Sequence, residues 1–281
     1  NAIKHAKVNI KNSSLYVTLE PCSNFGKTPP CVNTIVKNKI KSVFFSLKDP
    51  DTRSFNKSSE QFKKKNINVQ IGTLLNDIKI FYRSYINFKN SQLPFVTGKI
   101  AISRDFYTKN KKRKWITNEY SRGRVHLMRS NHDCILTGIR TIIHDNPQLN
   151  CRIHGLEDTS PSRIILDKKL KIPLGCNIIK SSNKFKTIIF YNKVMPKKIA
   201  ILKKSNIKLI KFPLDRNGNF ILKNILIKIK SLGYSRVFLE SGLNLTTNFL
   251  DKNLINEFKL FKSNKKLGIN GSNNFHKNIK V

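Results

Sequence analysis

The sequence predicts an α/β protein of two domains, and three observations support this. Short apolar runs with the two-residue period of strands alternate with segments whose apolar positions recur every three or four residues, as in helices. The chain has 281 residues, which is enough for two domains that each bury a core. A polar segment containing a proline, residues 90–94, interrupts the pattern. We therefore expect a first domain over residues 1–91 and a second over residues 92–281.

Both predicted domains carry the elements in alternation. In the first, strands are expected over residues 15–19, 40–47 and 69–71, and helices over residues 1–8, after Cys31, and over 58–65 and 74–88. In the second, strands are expected over residues 95–103, 135–137, 163–167, 186–191, 207–212 and 236–239, with helices that end near Arg129, include residues 141–145, cover 222–232 and follow Gly242.

The chain is strongly basic, with 54 lysines and arginines, 16 acidic residues and a formal net charge of +38. Proteins that bind nucleic acids concentrate such charge in a stripe or patch. Here the lysines are spread over nearly the whole chain and accompany abundant asparagine and isoleucine, which is typical of an A+T-rich genome. Codon bias therefore explains the charge better than nucleic-acid binding, and no nucleic-acid partner is expected.

Hydropathy and cysteine usage favour a cytoplasmic protein. No apolar run reaches the roughly 18 residues that a membrane span needs. The five cysteines are an odd number, which argues for a reducing compartment. Cys134, Cys151 and Cys176 are expected to be ordinary core thiols.

The most informative stretch of the first domain is Y-V-T-L-E-P-C-S-N-F-G-K-T-P-P-C, residues 16–31. It leads from a predicted strand into a loop that carries Cys22 and closes at Cys31, where a helix is expected to begin. Thiolates suit a zinc ion, and a helix N-terminus lowers the pKa of a thiol. However, two cysteines separated by eight residues fit none of the short zinc-finger spacings, so ordinary cysteines are the alternative on spacing alone.

The residues around these cysteines resemble the zinc half-site of the bifunctional pyrimidine deaminase/reductase family of riboflavin biosynthesis. The resemblance implies a cytidine-deaminase-like α/β/α domain in which Cys22 and Cys31 are zinc ligands. The family's third ligand and its proton-shuttling glutamate lie in a His-x-Glu segment, which does not occur in this sequence. The opening N-A-I-K-H-A resembles the helix after that segment, so the catalytic glutamate is expected upstream of Asn1. His5 is expected to be a solvated or packing histidine.

The resemblance continues into the second half. P-F-V-T-G-K-I-A-I-S-R-D, residues 94–105, is similar to the opening of the family's dihydrofolate-reductase-like α/β reductase domain. The family continues with a glycine in a tight turn, whereas this chain has Phe106. Phenylalanine adopts a positive φ only at a cost, so the shape of this loop is left open.

A basic run, K-N-K-K-R-K, occupies residues 109–114. A solvated charged loop is the ordinary interpretation. A phosphate clamp is the alternative, because a nucleotide cofactor and a ribose-phosphate substrate both need cations nearby. The family has a substrate-contacting serine at the position of Arg113, so the resemblance makes Arg113 a candidate substrate ligand.

The strongest signal of the second half is W-I-T at residues 115–117, followed by D-C-I-L-T-G-I-R-T-I-I-H-D-N-P-Q-L-N-C-R at residues 133–152. A strand is predicted to end at Gly138, where backbone can approach a cofactor, and Thr141 and Asp145 lie one helical turn apart. A simple helix terminator at residues 145–147 is the alternative for the last of these positions. The segment closely parallels the family's reductase signature. The resemblance implies that NADP contacts Ala101, Trp115, Thr141 and Asp145, and that Arg129, Leu149 and Arg152 contact the substrate.

Two later segments extend the resemblance. R-I-I-L-D at residues 163–167 is similar to a family strand, with Lys168 in place of a serine that contacts the cofactor; a lysine can still pair with an NADP phosphate. V-F-L-E-S-G-L-N-L-T-T-N-F-L, residues 237–250, predicts a strand, a turn and a helix, which suits a phosphate at the helix N-terminus. Alone, this is a generic strand-turn-helix, but its order after the other segments makes it part of the resemblance. The resemblance implies that Glu240 contacts substrate and Gly242 contacts NADP.

The resemblance thus implies a bifunctional enzyme of riboflavin biosynthesis with Zn²⁺ and NADPH as cofactors. It would deaminate 2,5-diamino-6-hydroxy-4-(5-phosphoribosylamino)pyrimidine and then reduce the ribosyl group, giving 5-amino-6-(5-phosphoribitylamino)uracil. A homo-oligomer formed through the reductase domain is also implied. Two alternatives stay open: a tRNA base deaminase, which leaves the second half unexplained, and a non-catalytic relative, suggested by Phe106, Arg113 and Lys168.

Overall fold

The structure is a computed structural model that describes residues 2–26, 28–54, 56–112 and 115–275. The chain divides into two units, Asn1–Ser91 and Gln92–Val281. Within the described ranges, no helix combines the length and apolarity that crossing a bilayer requires.

The first unit alternates strands and helices. Its strands are β1 (Ser14–Leu19), β2 (Ser42–Leu47) and β3 (Asn68–Ile71), and its helices are α1 (Ala2–His5), α2 (Cys31–Lys37), α3 (Lys57–Lys64) and α4 (Leu75–Asn90). The three strands form a parallel sheet in the order β1-β2-β3. Each element was predicted, but α1 ends at His5, earlier than expected.

Helices lie on both faces of this small sheet, because successive side chains of a strand point to opposite sides. On one face, Val43 and Phe45 of β2 are fully buried against apolar residues of α2 and α3. On the other face, the Thr18 hydroxyl of β1 lies 2.9 Å from the Tyr82 hydroxyl of α4. The first unit therefore has three layers, helix, sheet and helix.

The second unit contains nine strands and six helices among the described residues. The strands are β4 (Phe95–Ile102), β5 (Tyr107–Asn110), β6 (Cys134–Gly138), β7 (Ser162–Leu166), β8 (Thr187–Tyr191), β9 (Ile207–Lys211), β10 (Arg236–Glu240), β11 (Glu257–Lys262) and β12 (Gly271–Asn274). The helices are α5 (Glu119–Ser130), α6 (Ile139–Asp145), α7 (Asn177–Lys180), α8 (Pro196–Lys204), α9 (Leu222–Ser231) and α10 (Leu243–Asp251). The sequence did not predict β5, β11, β12, α7 or α8.

Seven of these strands form one sheet in the order β11-β4-β10-β6-β7-β8-β9, and every pairing in it is parallel. Both faces are covered, as parallel sheets require. Leu136 and Ile164 are buried on the face packed by α9 and α10. Their neighbours Ile135 and Ile165 are buried on the face packed by α5, α6 and α8. The expected core thiols Cys134, Cys151 and Cys176 are buried as well.

The strand order places a ligand crevice at the centre of the sheet. The chain runs outward from β6 to β9 and then returns to β10, which lies between β4 and β6. Where the strand order reverses, the carboxyl ends of parallel strands leave a crevice that ligands commonly occupy. Here those ends carry Gly138 and Glu240.

Candidate active site

A cavity of about 1890 Å³ lies at these strand ends. Ten of the residues that the sequence singled out line it, namely Ala101, Trp115, Thr141, Asp145, Lys168 and Gly242 for the cofactor, and Arg129, Leu149, Arg152 and Glu240 for the substrate. Arg113 lies outside the described residues. The structure thus brings the predicted residues together, while the role of each stays a prediction.

Glu240, at the end of the central strand β10, is held by two cations. The Arg129 guanidinium of α5 donates two hydrogen bonds to its carboxylate, each 2.9 Å long. Lys99 Nζ, on the neighbouring strand β4, lies 3.9 Å from the same carboxylate. All three side chains are largely buried, with 10 to 17% of their surface exposed. Bidentate pairing of this kind fixes both charge and geometry.

The electrostatic balance keeps Glu240 ionised. Burial raises the pKa of Glu240, but the charges of Arg129 and Lys99 outweigh burial and lower it below its ordinary value. Arg129 also donates to the Asn150 carbonyl, at 3.0 Å. Arg129 therefore uses three donors on the protein, so its main contact in the structure is with Glu240 and not with open cavity.

The segment that follows α6 forms another wall of the cavity. Asn146 ends the helix with a positive φ of 39°, and Leu149 has a φ of 53°. The predicted helix terminator is therefore confirmed, although Asp145 also lines the cavity. Asn146 is anchored by Asn177, whose backbone N–H donates to the Asn146 side-chain oxygen at 2.8 Å.

Arg163 of β7 holds the segment after α6 in place through a hydrogen bond to its backbone, a role that the sequence did not reveal. It is fully buried, and its guanidinium donates to the Gln148 carbonyl at 3.2 Å as well as to Thr187 and Ser181. No carboxylate pairs with it in the part of the chain that the structure describes. Burial lowers the pKa of Arg163 to about 10.

Arg152 and His126 form the exposed end of this wall. The Arg152 guanidinium donates to the Asn150 side-chain oxygen at 2.9 Å, and the Arg152 backbone N–H donates to His126 Nδ1 at 3.1 Å. Burial and the charges of Arg129 and Arg152 lower the pKa of His126 to about 4. Sequence analysis missed His126, although it lies three residues before Arg129 and hence on the same helical face.

Two glycines open the opposite side of the cavity. Gly138 has a φ of −97° and Gly242 a φ of −70°, so ordinary extended backbone would accept any residue at either position. A Cβ on Gly242 would meet nothing within 4 Å, and one on Gly138 would meet only Leu245, at 3.5 Å. The fold therefore does not require glycine here, whereas a closely bound ligand would.

Trp115 and α6 add a second ligand surface. Trp115 is 56% exposed, and the Arg122 guanidinium lies 5.3 Å from the centre of its indole ring. Thr141 and Asp145 of α6 line the same cavity one helical turn apart, as predicted from their spacing. An exposed indole beside polar side chains suits a planar, partly polar ligand.

Lys168 follows β7 at the far end of the cavity. Its Nζ donates to the Gly218 carbonyl at 2.7 Å and to the Asn219 side-chain oxygen at 3.2 Å. Both acceptors are neutral, so among the described residues no carboxylate neutralises this lysine. The contact also ties the end of β7 to the loop before α9.

The structure resolves the shape of the loop at Phe106. Phe106 adopts a φ of 66°, so the turn keeps left-handed backbone without glycine. Such a conformation costs about 1–2 kcal/mol. Packing of the ring against Ile100 and Ile102 offsets this cost. The Asp105 carboxylate adds to the turn's stability by accepting the Gly268 N–H at 2.8 Å.

The basic run contributes Lys109, Lys111 and Lys112 to the lining. Altogether eleven lysines and arginines and three acidic residues line the cavity. This ratio is close to the 54 to 16 of the whole chain, so the number of cations does not mark an anion site. The placement of individual cations is more informative than their number, and the phosphate clamp stays a prediction.

In the first unit, the two cysteines lie together at the start of α2. The Cys31 backbone N–H donates to Cys22 Sγ at 3.3 Å, and burial together with the Cys22 side chain raises the pKa of the Cys31 thiol. Among the described residues, no group of three or more His, Cys, Asp and Glu side chains is placed to hold a metal. His5 is exposed. Glu20 is buried, and its carboxylate accepts hydrogen bonds from Ser58, which is a structural role.

Comparison with known proteins shows which family the second unit matches. Residues 94–277 match the RibD C-terminal domain. The riboflavin biosynthesis protein RibD of Aquifex aeolicus is 31% identical over 269 residues, which cover 95% of this chain and 73% of that protein. RibD of Actinobacillus pleuropneumoniae is 28% identical over 270 residues, which cover 95% of this chain and 71% of that protein.

Solved structures agree. A diaminohydroxyphosphoribosylaminopyrimidine deaminase/5-amino-6-(5-phosphoribosylamino)uracil reductase from Thermotoga maritima matches with a TM-score of 0.84 and 27% identity, over 99% of this chain and 76% of that chain. Acinetobacter baumannii RibD matches with a TM-score of 0.83 and 26% identity, over 97% of this chain and 74% of that chain. The chain therefore belongs to the RibD family of riboflavin biosynthesis enzymes, and its second unit is a RibD reductase-type domain.

Proposed function

We propose that the cavity of the second unit binds NADPH and 5-amino-6-(5-phosphoribosylamino)uracil and reduces the ribosyl group to ribityl. One observation carries the proposal: ten residues singled out separately for cofactor and substrate line a single cavity at the strand ends of a RibD reductase-type domain. The similar Thermotoga maritima protein is a 5-amino-6-(5-phosphoribosylamino)uracil reductase, which supports this choice of substrate.

The cofactor side of the cavity fits a nicotinamide nucleotide. Gly138 and Gly242 leave room where backbone N–H groups at the starts of α6 and α10 point outward, which suits phosphate oxygens. The exposed Trp115 ring offers a surface for stacking, and Lys168 offers a charge that no carboxylate of the described residues neutralises. When bound, the reduced cofactor supplies the hydride for the sugar C1.

The substrate side is organised by Glu240. This carboxylate accepts hydrogen bonds from substrate groups while Arg129 fixes its position. In the ring-opened substrate a C=N double bond joins the sugar C1 to the nitrogen. As hydride adds to C1 this double bond becomes a single bond, and Lys99, beside Glu240, is the ammonium that donates a proton to the nitrogen. Arg152, whose side-chain acceptors among the described residues are the neutral amides of Gln148 and Asn150, is the cation for the substrate phosphate.

Cofactor oxidation tests this function. The purified chain is mixed with NADPH, the loss of its absorbance is followed with and without the deaminated pyrimidine, and the product is identified by mass spectrometry. We expect oxidation only when the pyrimidine is present, with a product two hydrogens heavier. No pyrimidine-dependent oxidation by the folded protein would contradict the proposal.

A second function is favoured by the cysteine contact in the first unit. We propose that Cys22 and Cys31 are two ligands of the zinc site of a cytidine-deaminase-like domain. Zinc sites have at least three protein ligands, so these two need others in addition. Because the sequence contains no His-x-Glu, we expect this chain to show no deamination by itself.

Metal analysis tests the second proposal. We expect zinc to bind weakly to the chain, and Cys22→Ser and Cys31→Ser each to abolish that binding while Cys151→Ser leaves it unchanged. Equal zinc content in all four proteins would contradict it. A tRNA base deaminase is the less favoured alternative, because the reductase-type match covers residues 94–277.

A homo-oligomer formed through the second unit, and a cytoplasmic location, are further proposals taken from the family resemblance. Light scattering of the purified chain tests the first of these. A monomeric mass at micromolar concentration would contradict it.

A further inference from the structure

One arginine that lines the cavity has no role in the function proposed above. Arg122 lies near the start of α5, and its guanidinium faces the indole of Trp115, the ring on which the cofactor is proposed to stack. Trp115 is the single tryptophan of the chain. The contact between these side chains therefore joins a residue without a role to a residue of the candidate cofactor surface.

The segment that carries Trp115 has little support from regular structure. Residues 115–117 belong to no helix or strand, and Trp115 is 56% exposed. A large side chain in such a place loses rotamer freedom when a ligand stacks on it, and this loss weakens binding. A contact that already holds the indole before the ligand arrives removes this cost.

Arg122 is well placed to hold this segment. Its backbone is fixed within α5, whose first turn is capped by the Asn118 side chain, which accepts the Ser121 N–H at 2.9 Å. Side chains of a helix point back towards its N-terminus, so Arg122 reaches over the residues that precede α5. There its Nη1 donates to the Thr117 carbonyl at 3.0 Å, while its guanidinium carbon lies 5.3 Å from the centre of the Trp115 ring.

This pair of contacts depends on the shape of the guanidinium as well as on its charge. A planar guanidinium stacks on an aromatic face and at the same time directs an N–H in its own plane towards a carbonyl. A lysine ammonium carries the same charge, but it has no plane to stack and is strongly hydrated. Lysine at position 122 should therefore keep the charge near the cavity and lose the hold on the indole.

We propose that Arg122 is a positioning residue that fixes the indole of Trp115 in the orientation in which the nicotinamide nucleotide contacts it. Arg122 acts through Trp115 and the Thr117 backbone, and not through the phosphates of the cofactor. The identity of the ligand rests on the proposed reductase function. The fixing of the indole rests on the geometry of Arg122 alone and can be measured without any ligand.

A double-mutant cycle on cofactor binding tests whether Arg122 acts through Trp115. The affinity for NADPH is measured by calorimetric titration of the full chain as wild type, Arg122→Lys, Trp115→Leu and the double variant. We expect Arg122→Lys to bind NADPH about 5- to 20-fold more weakly, although the net charge is unchanged. In the Trp115→Leu background, the same substitution should change the affinity by less than about twofold, because the ring that it positions is gone.

Arg124→Lys is the matched control. Arg124 lies two residues further along α5, is exposed and does not line the cavity. Its replacement should leave the affinity for NADPH within about twofold of the wild type. An equal loss in Arg124→Lys and Arg122→Lys would show that the helix, and not the contact with the indole, determines the affinity.

Tryptophan fluorescence of the unligated chain gives a second readout, which a direct contact between Arg122 and the cofactor would not change. Because Trp115 is the single tryptophan, selective excitation reports on this ring. In the wild type and in Arg124→Lys, we expect the anisotropy to decay mainly with the tumbling of the whole chain. In Arg122→Lys, a faster component on the nanosecond scale should appear, since exposed side chains change rotamer in that time.

Three results would overturn the proposal: wild-type affinity for NADPH in Arg122→Lys, the same loss of affinity on this substitution with and without Trp115, or equal mobility of the indole in the wild type and Arg122→Lys. The second would make Arg122 a direct ligand of the cofactor. If Trp115→Leu does not fold, the anisotropy decides alone. A wild-type chain that does not bind NADPH would contradict the proposed function, and the anisotropy would still decide whether Arg122 holds the indole.

Discussion

The two ends of the cavity hold their charged residues in opposite ways. At one end, Glu240 is paired with Arg129 through two hydrogen bonds of 2.9 Å and faces Lys99 at 3.9 Å. At the other end, Lys168 is held by the Gly218 carbonyl and the Asn219 side chain, which carry no charge. At the first end a carboxylate pairs with the cations inside the protein, whereas at the second end no carboxylate of the described residues pairs with the lysine, whose charge is left for a ligand.

This difference suggests different roles for the two ends: the Glu240–Arg129 pair positions groups in the site, and Lys168 recognises a charged ligand. A buried ion pair is costly to break, because removing one partner leaves the other charge unpaired. Replacing a lysine that is held by neutral oxygens leaves no other charge unpaired, so it should have little effect on the stability of the fold. Substitutions at the first end should therefore reduce both stability and activity, while those at the second should change ligand preference alone.

The largest effect is expected for Glu240→Gln. It leaves Arg129 and Lys99 as buried cations without their carboxylate, which should lower the free energy of unfolding by about 3 kcal/mol. The rate of pyrimidine-dependent NADPH oxidation should fall about 100-fold or more, because the group that orients the substrate is lost. Chemical denaturation and steady-state kinetics measure the two effects.

The double variant Arg129→Met/Glu240→Leu sharpens this test. With Arg129 and Glu240 both replaced by apolar side chains, only Lys99 is left without its carboxylate, so stability should recover part of what Glu240→Gln loses, whereas activity should not. Recovery of both would show that Glu240 serves only the fold.

The next largest effect is expected for Gly242→Val. A Cβ there meets no protein atom within 4 Å, so the free energy of unfolding should change by less than about 1 kcal/mol. The added side chain should occupy the space left for the cofactor and raise the KM for NADPH about tenfold or more. An unchanged KM would remove Gly242 from the cofactor site.

Gly98→Ala is the matched control. Its Cβ would lie 2.8 Å from Ile255 and 3.0 Å from Phe258, so it should destabilise the chain without a selective effect on the KM for NADPH. The two glycines should thus respond in opposite ways.

A smaller and selective effect is expected for Lys168→Met. Loss of the charge should raise the KM for NADPH about 5- to 30-fold and leave the KM for NADH unchanged, since only NADPH carries the additional phosphate. Lys169→Met, at an exposed neighbouring lysine that does not line the cavity, should change neither value. An equal change with both nucleotides would show that Lys168 acts only through the loop that it anchors.

The smallest effect concerns pH. Burial and the arginines hold the pKa of His126 at about 4 in the folded chain, below the value of about 6.5 expected when it is unfolded. The neutral ring therefore favours the fold fully above pH 6.5, and this contribution is lost as the pH falls from 6.5 towards 4. The unfolding free energy of the wild-type chain should decline more over this range than that of His126→Gln. Parallel declines would contradict the expected titration.

Much of the architecture could be predicted because its signals are local. The strands that end at Gly138 and Glu240 and the one-turn spacing of Thr141 and Asp145 follow from periodicity over a few residues. Phe106 shows the limit of local rules, since packing of its ring compensates for a backbone conformation that its residue type disfavours.

The contacts between the site residues could not be predicted, because they join residues that are far apart in the sequence. Arg129 and Glu240 are 111 positions apart, and Lys99 faces Glu240 only because β4 and β10 pair in one register. No periodicity in a single sequence encodes such a register. Lys99 did carry a signal in retrospect, as a lysine within an otherwise apolar strand, and His126 carried one in its spacing from Arg129.

The central claim is that hydride reaches the sugar C1 inside the cavity of the second unit. NADPH carrying deuterium at the transferred position, incubated with the chain and 5-amino-6-(5-phosphoribosylamino)uracil, tests it directly when the product is analysed by NMR. We predict one deuterium at C1 of the ribityl chain and, with NADPH below the wild-type KM, labelling by the Gly242→Val variant that is slower by about tenfold or more. A ribityl product without deuterium, or labelling at an unchanged rate in that variant, would contradict the account.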